Sequence, residues 1–242
     1  MIRSISIVFP CYNEASRLKY TFNDIKKFQE KKITNDFEII FVNDGSSDNT
    51  FQILKKYKNE NAKLNKKIKI ISYQNNKGKG YALKKGIMIA KYDWILTLDT
   101  DISVSITQLS EWIKHKQINK EKFIYFGSRN LIDSKIKFKM YRKLMGLIFI
   151  TIIKIFFNIN LSDTQCGFKL YRKDIARKLF SNLKMLDFTH DIEIVLISKK
   201  KGYRIKELPV NWIHKKGSKI SVFKDSLKMF ISLLKMKFIF PK

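Results

Sequence analysis

Two carboxylates set two residues apart, Asp99 and Asp101, close an apolar run, Trp94-Ile95-Leu96-Thr97-Leu98. Read as a buried strand, that run sends both acidic side chains from the same face of an extended backbone. Such a pair suits a divalent cation shared with a phosphate-bearing ligand. Mg2+ and Mn2+ prefer oxygen, and often combine one or two carboxylates with substrate phosphates. The plainer alternative is an acidic turn after a strand, where Asp is common. On the triplet alone the plainer alternative is favoured, so the rest of the chain must decide.

The elements around the triplet give the acids a frame. Residues 5–9 form a strand closed by Pro10, followed by a helix with Leu18, Phe22, Ile25 and Phe28 on one face. A second strand, 37–42, ends in Asn43-Asp44-Gly45-Ser46-Ser47-Asp48, rich in turn and helix-capping types. The next helix carries Phe51, Leu54 and Tyr57, and a third strand covers 68–73. Asn76-Lys77-Gly78-Lys79-Gly80 then opens a helix through Ala82, Leu83, Ile87 and Ala90, which leads into the strand before Asp99. Alternating strands and amphipathic helices predict a parallel sheet covered on both faces. Ligands of such sheets bind beyond the carboxyl ends of the strands, where 10–14, 43–48 and 99–101 fall.

The second half is less regular. Ser105 is placed to cap a helix containing Leu109, Trp112 and Ile113. Strands are expected at 123–126 and toward Tyr171, helices at 175–179 and 191–199, and extended chain at 204–212. Residues 139–160 are strongly apolar but too short to span a bilayer, and 221–242 read as a basic amphipathic helix appended to a domain of residues 1–220. The chain has 242 residues, 49 Lys and Arg against 21 Asp and Glu, and a net charge of +28. That balance implies an anionic partner: nucleic acid, an acidic membrane surface or a phosphorylated substrate. The two cysteines, Cys11 and Cys166, form neither a disulfide framework nor a zinc spacing, which fits a reducing compartment. A basic nucleic-acid-binding module is the alternative from another class; it would interleave basic and aromatic residues on one surface and has no need of paired acids at strand ends, and the order of the motifs below argues against it, so no nucleic-acid partner is expected.

Three motifs in order, Val8-Phe9-Pro10-Cys11-Tyr12-Asn13-Glu14, Val42-Asn43-Asp44-Gly45-Ser46-Ser47-Asp48 and Asp99-Thr100-Asp101, resemble glycosyltransferase family 2. Asn76 to Ala82, Asp163-Thr164-Gln165-Cys166-Gly167-Phe168-Lys169, Pro209-Val210-Asn211-Trp212 and Gly217-Ser218-Lys219 look like the dolichyl-phosphate β-glucosyltransferases and their bacterial polyprenyl-phosphate counterparts within it. The likeness covers nearly the whole chain, although the N-terminal membrane anchor of the eukaryotic members and the multi-span region of some bacterial ones have no match here. It implies a GT-A, Rossmann-like α/β fold, with a mostly parallel sheet flanked by helices and C-terminal amphipathic helices on a membrane surface.

The resemblance also implies roles. Pro10, Tyr12, Glu14 and Asp44 line a nucleoside pocket, Lys77, Lys79 and Lys219 meet the donor diphosphate, and Asp101, with Asp99 less directly, holds Mg2+ or Mn2+. Asp99 has the alternative of touching ribose or donor sugar. Arg129 and Arg142 suit the acceptor phosphate, since Arg forks match phosphate geometry, while Gln165 and Lys169 shape the sugar and acceptor pocket. Asp191 orients the sugar, or acts as base where the acceptor is a hydroxyl. Asp48 is read as a helix cap, Cys166 as a small buried side chain and His190 as structural. The implied activity is inverting transfer of a hexose, glucose from UDP-glucose in the first instance, to a polyprenyl or dolichyl phosphate. The alternatives are GDP-mannose as donor, or a lipid or polysaccharide hydroxyl as acceptor. The expected location is peripheral, on the anionic cytoplasmic face of a membrane; a second copy of the chain is the other occupant for the apolar faces.

Overall fold

The β-branched and aromatic runs pair into one sheet, and the amphipathic runs between them cover its faces. The computed structural model describes residues 2–118, 123–137, 150–213, 215 and 222–240. Strands β1 (Ser4–Cys11), β2 (Asp36–Asp44), β3 (Ile68–Tyr73) and β4 (Trp94–Thr97) alternate with helices α1 (Leu18–Glu30), α2 (Thr50–Glu60), the short α3 (Ala62–Asn65) and α4 (Lys79–Ile89). Next come α5 (Gln108–Lys114), β5 (Phe123–Ser128), β6 (Lys135–Lys137), a helical stretch at 150–157 (α6), β7 (Lys169–Arg172), α7 (Lys173–Ser181), α8 (His190–Lys200), β8 (Arg204–Pro209), β9 (Asn211–Ile213) and α9 (Val222–Ile239).

The main sheet runs β3-β2-β1-β4-β7-β5-β8. Strands β1 to β4 are mutually parallel, β7 pairs antiparallel with β4 and with β5, and β5 pairs parallel with β8. The sheet is therefore mostly parallel, with one reversed strand inserted beside β4. A second, two-stranded sheet joins β6 and β9, and Trp212 of β9 bridges to Val104. One core cluster, including Phe9, Phe41, Leu96 and Trp112, lies under α1, α2 and α5. The other, including Val8, Ile95, Leu83 and Phe180, lies under α4, α7 and α8.

Two expectations change. β4 ends at Thr97, and the backbone turns through residues 98–101, with Ile102 at φ +54°. Asp99 and Asp101 thus do not leave an extended strand from one face. Local hydrogen bonds override the extension: Ser103 N donates to Asp101 Oδ1 (2.8 Å), Thr100 Oγ1 to Pro10 O (2.8 Å), and Thr21 Oγ1 to the Thr100 carbonyl (2.6 Å). The helix expected after Ser105 begins only at Gln108. Ser105 instead donates to Asp24 Oδ1 at 2.6 Å and accepts from Thr107 N at 3.2 Å.

The C-terminal helix belongs to the same body as the rest of the chain. Leu233 and Met236 of α9 are buried in the second core cluster with Ile153 and Phe157 of α6. Ser232 Oγ donates to Asp187 Oδ2 at 2.7 Å. Arg142, Lys219 and the first half of the 139–160 segment lie outside the described residues.

Candidate active site

The carboxyl ends of β1, β2 and β4 meet with the loop before α4, the loop before β7 and the start of α8. Asp44, the last residue of β2, is 2% exposed, and its carboxylate is fully engaged. Lys77 N (2.8 Å), Gly78 N (2.9 Å) and Asn76 Nδ2 (2.9 Å) all donate to it. Gly80 N donates to Leu186 O at 2.8 Å. The main-chain donors of this loop are thus used inside the protein. Lys77 Nζ stands 5.0 Å over the Tyr81 ring, whereas Lys79 Nζ lies 2.6 Å from Asp99 Oδ1. Burial pulls the Lys79 ammonium down, but Asp99, Asp191 and Asp101 together outweigh it and raise the group above its ordinary value.

Arg17 escaped the sequence reading. Its Nε donates to Glu14 Oε2 at 2.5 Å, its Nη2 to Glu14 Oε1, and its Nη1 lies 3.7 Å from Asp101 Oδ2. It therefore straps the end of β1 to the turn after β4. The available signal was spacing, since Glu14 and Arg17 are three apart at a helix start, where such pairs meet. Burial raises the Asp101 carboxyl, and the adjacent Asp99 charge adds to this. Tyr12 is 42% exposed at the same rim. Pro10 touches the acidic turn through its carbonyl and Thr100. Asp48 lies one residue before the N-cap position of α2, Asn49, which makes no side-chain cap; its carboxylate accepts from Thr50 N at 3.0 Å and from Ala15 N at 3.2 Å.

Asp99, Ser103, Arg129, Gln165, Gly167 and Trp212 line a small cavity beside the acids. Arg129 is held to Asp163 by Nε (2.6 Å) and Nη2 (2.9 Å). Burial opposes the Arg129 charge, and Asp163 more than restores it. The Gln165 Nε2 is buried at the cavity wall with no hydrogen-bond partner among the described residues. A buried orphan amide of this kind marks a place for a ligand oxygen or a water. Gly167 is required by space: a Cβ there would stand 2.4 Å from Asp99 Oδ2. Nothing in residue spacing announced that contact. Cys166 is buried and its thiol is pushed up to about 12, chiefly by desolvation, so it is no nucleophile.

Deeper in, Lys169 is 2% exposed. Its Nζ donates to Asp191 Oδ1 and, at 2.9 Å, to Thr164 O. His190 Nδ1 is 2.7 Å from Asp187 O, and Nε2 is 3.1 Å from Asp191 Oδ1 but off line for a hydrogen bond. Burial alone would raise the Asp191 carboxyl; His190 and Lys169 outweigh it and hold the group well below the usual carboxylate range. Burial depresses the Lys169 ammonium despite its partner. Glu193 is occupied structurally, accepting from Lys184 N and Met185 N.

The comparisons with known proteins complete the picture. Residues 6–180 match the model of Glycosyl transferase family 2. The chain belongs to this family. It is 31% identical to the dolichyl-phosphate beta-glucosyltransferase of Dictyostelium discoideum, over 97% of this chain and 74% of that one. It is likewise 31% identical to the enzyme of that name from Saccharomyces cerevisiae, over 93% and 71%. Among solved structures, it resembles glucosyl-3-phosphoglycerate synthase from Mycobacterium tuberculosis in complex with Mn2+, UDP and phosphoglyceric acid. The TM-score is 0.69 at 15% identity, covering 99% of this chain and 80% of that one. TarS from S. aureus with UDP-GlcNAc gives 0.61 at 17%, and the chain spans 65% of that protein's length. At these identities the structural likeness establishes the GT-A fold. The family membership makes the protein a glycosyltransferase.

Proposed function

We propose that the protein moves glucose from UDP-glucose onto a polyprenyl or dolichyl phosphate, with inversion at the anomeric carbon and with a divalent cation. The observation that carries the acceptor assignment is the state of Asp191. A general base works best with a pKa near the operating pH. Asp191 is buried, bonded to Lys169 and held well below the carboxylate range, so it is a poor proton acceptor. Glu193 is spent on backbone donors and Cys166 is protonated. Among the described residues neither these carboxylates nor the thiol offers a free base, which favours an acceptor that arrives ionised, as a lipid phosphate does. The relatives' names point to the same acceptor class.

In this reading the acceptor phosphate enters beside Arg129 and Gln165, and one of its oxygens attacks the anomeric carbon from the face opposite the diphosphate. The bond to the diphosphate breaks, the electron pair leaves with the nucleotide, and no proton moves. Lys79 meets charge that grows on the departing diphosphate. Asp191 and Lys169 orient the sugar from below. A cation fits the acids, because Asp99 and Asp101 crowd like charge in an otherwise very basic chain. The described residues contain no group of three or more His, Cys, Asp or Glu able to hold a metal alone, so donor phosphates would complete the ligand set, as is usual for Mg2+. When bound, the ion would neutralise the leaving diphosphate.

The attachment face is also part of the proposal. No described helix is long and apolar enough to cross a membrane. Ile155 of α6 and Ile231, Leu234 and Phe238 of α9 are exposed, and Lys237 Nζ lies 5.1 Å over Phe156, tying the two helices together. Apolar side chains rimmed by lysines suit the anionic cytoplasmic leaflet, where each nearby Lys or Arg adds about 1 kcal/mol.

The test is a thermal-shift panel of UDP- and GDP-sugars with and without Mn2+, followed by turnover assays on polyprenyl phosphate and on the corresponding alcohol. A ligand at about 100 times its Kd stabilises by about 2.7 kcal/mol. UDP-glucose is expected to give the largest shift, and only the phosphate acceptor to turn over. Transfer to the alcohol alone would sink the acceptor assignment.

A further inference from the structure

The two acids after β4 already carry cations of their own. Lys79 Nζ sits 2.6 Å from Asp99 Oδ1. Arg17 Nη1 sits 3.7 Å from Asp101 Oδ2 while its other nitrogens clasp Glu14. Both cations are anchored. Arg17 is only 9% exposed, at the N-cap position just before α1. Lys79 opens α4, and the loop before it is pinned to Asp44 through Asn76, Lys77 and Gly78. Asp99 packs from the other side on Gly167, where an added Cβ would meet its carboxylate at 2.4 Å.

We propose that Lys79 and Arg17 are built-in counter-ions that make the metal and the nucleotide diphosphate bind as a pair. The inference rests on the donor reading given above. A bare dication approaching Asp99 and Asp101 must displace Lys79 from its carboxylate and approach Arg17, with no new anion for either cation. A diphosphate arriving with the dication would supply that anion: it would offer a phosphate oxygen to the Lys79 ammonium in place of Asp99, leaving the Asp99 carboxylate available to hold the metal. Glu14, Asp99 and Asp101 against Arg17 and Lys79 leave a single net negative charge, weak attraction for a dication by itself. Because coupling between two ligands is reciprocal, UDP tightens Mn2+ by the same factor as Mn2+ tightens UDP.

The experiment is Mn2+ titration of the full chain followed by electron paramagnetic resonance of the free ion, with and without UDP. Wild-type protein is expected to bind Mn2+ at least about tenfold more tightly in the presence of UDP, within the usual range of such couplings. Lys79→Met is expected to bind Mn2+ alone about tenfold more tightly than wild type and to lose most of the UDP effect; Lys79→Arg, which keeps the charge, retains the wild-type pattern. Arg17→Lys is the second arm, because it preserves the charge near Glu14 and folds where Arg17→Met fails; its thermal melt confirms folding, and its Mn2+ affinity without UDP is expected to remain weak. The proposal is overturned when wild type binds Mn2+ equally well with and without UDP, or when Lys79→Met leaves the affinity for Mn2+ alone unchanged. Absence of any UDP binding with saturating Mn2+ would defeat the donor reading itself, while the affinity of Lys79→Met for Mn2+ alone would still decide the counter-ion role.

Discussion

Lys169 and Asp191 form the pair whose disruption should be felt most strongly by the fold. Removing one member of a buried ion pair leaves the other uncompensated and costs about 3–5 kcal/mol. Asp191→Asn is therefore expected to lower the melting temperature sharply at neutral pH. The sign of the pH effect follows from the depressed carboxyl. Asp191 contributes stability that is fully present above its ordinary value of 3.8 and is lost as pH falls below it. The gap between wild type and Asp191→Asn should narrow as the melts are taken into acid; a gap that stays constant would contradict the pairing. Gly167→Ala tests position without testing the fold. The added Cβ would meet the tip of Asp99, a movable side chain, so the melt should change little. Turnover should fall by about 100-fold, the usual cost of displacing a reacting group by an ångström. The thiols make a third prediction. Cys11 and Cys166 are buried and both are pushed up to about 12, so neither presents thiolate at neutral pH. Iodoacetamide should label the native protein negligibly and the unfolded chain at both cysteines.

At the scale of elements, the sequence was most readable where burial and periodicity agree. The first four strands, their helices and the run of polar residues at the strand ends could be placed because each strand is mostly apolar and the helices between them carry apolar stripes. The turn after β4 was misplaced because the extension suggested by apolar residues gave way to a local bond from Ser103 N to Asp101 and to bonds that tie Thr100 to Pro10 and Thr21, distant in the chain. The same holds for Arg129, whose guanidinium is shared with Asp163, and for the 76–78 loop, whose donors serve Asp44. Partners distant in sequence cannot be read from spacing. That loop offers an element-scale test. Gly78 has φ +97°, and a Cβ there would stand 2.3 Å from Leu186 O. Gly78→Ala should destabilise by about 1–3 kcal/mol and loosen Lys79 from Asp99, seen together as a lower melting temperature and a weaker UDP response.

For the molecule as a whole, net charge said less than its placement. A charge of +28 is compatible with several anionic partners; the acids gathered at one end of the sheet and the exposed apolar side chains of α6 and α9 are what the proposed membrane-surface reading rests on. Phe238→Ser with Ile155→Ser should weaken binding to phosphatidylglycerol vesicles severalfold without changing nucleotide binding, and salt should weaken the wild type similarly, as measured by co-sedimentation. Vesicle binding unaltered by the double substitution would place the docking face elsewhere. The reversed strand has a consequence for synthesis. β4 is bordered on one side by β1, which precedes it, and on the other by β7, whose Lys169 opposes Thr97 72 residues downstream. While the ribosome makes those residues, the nascent chain holds a complete parallel half-sheet whose β4 edge, with the apolar Trp94-Ile95-Leu96, has nothing to pair with. An open apolar edge is a template for the wrong strand. A chain stalled or truncated before β7 should therefore be an aggregation hazard and a client for chaperones, until a single four-residue strand arrives to cover the β4 edge.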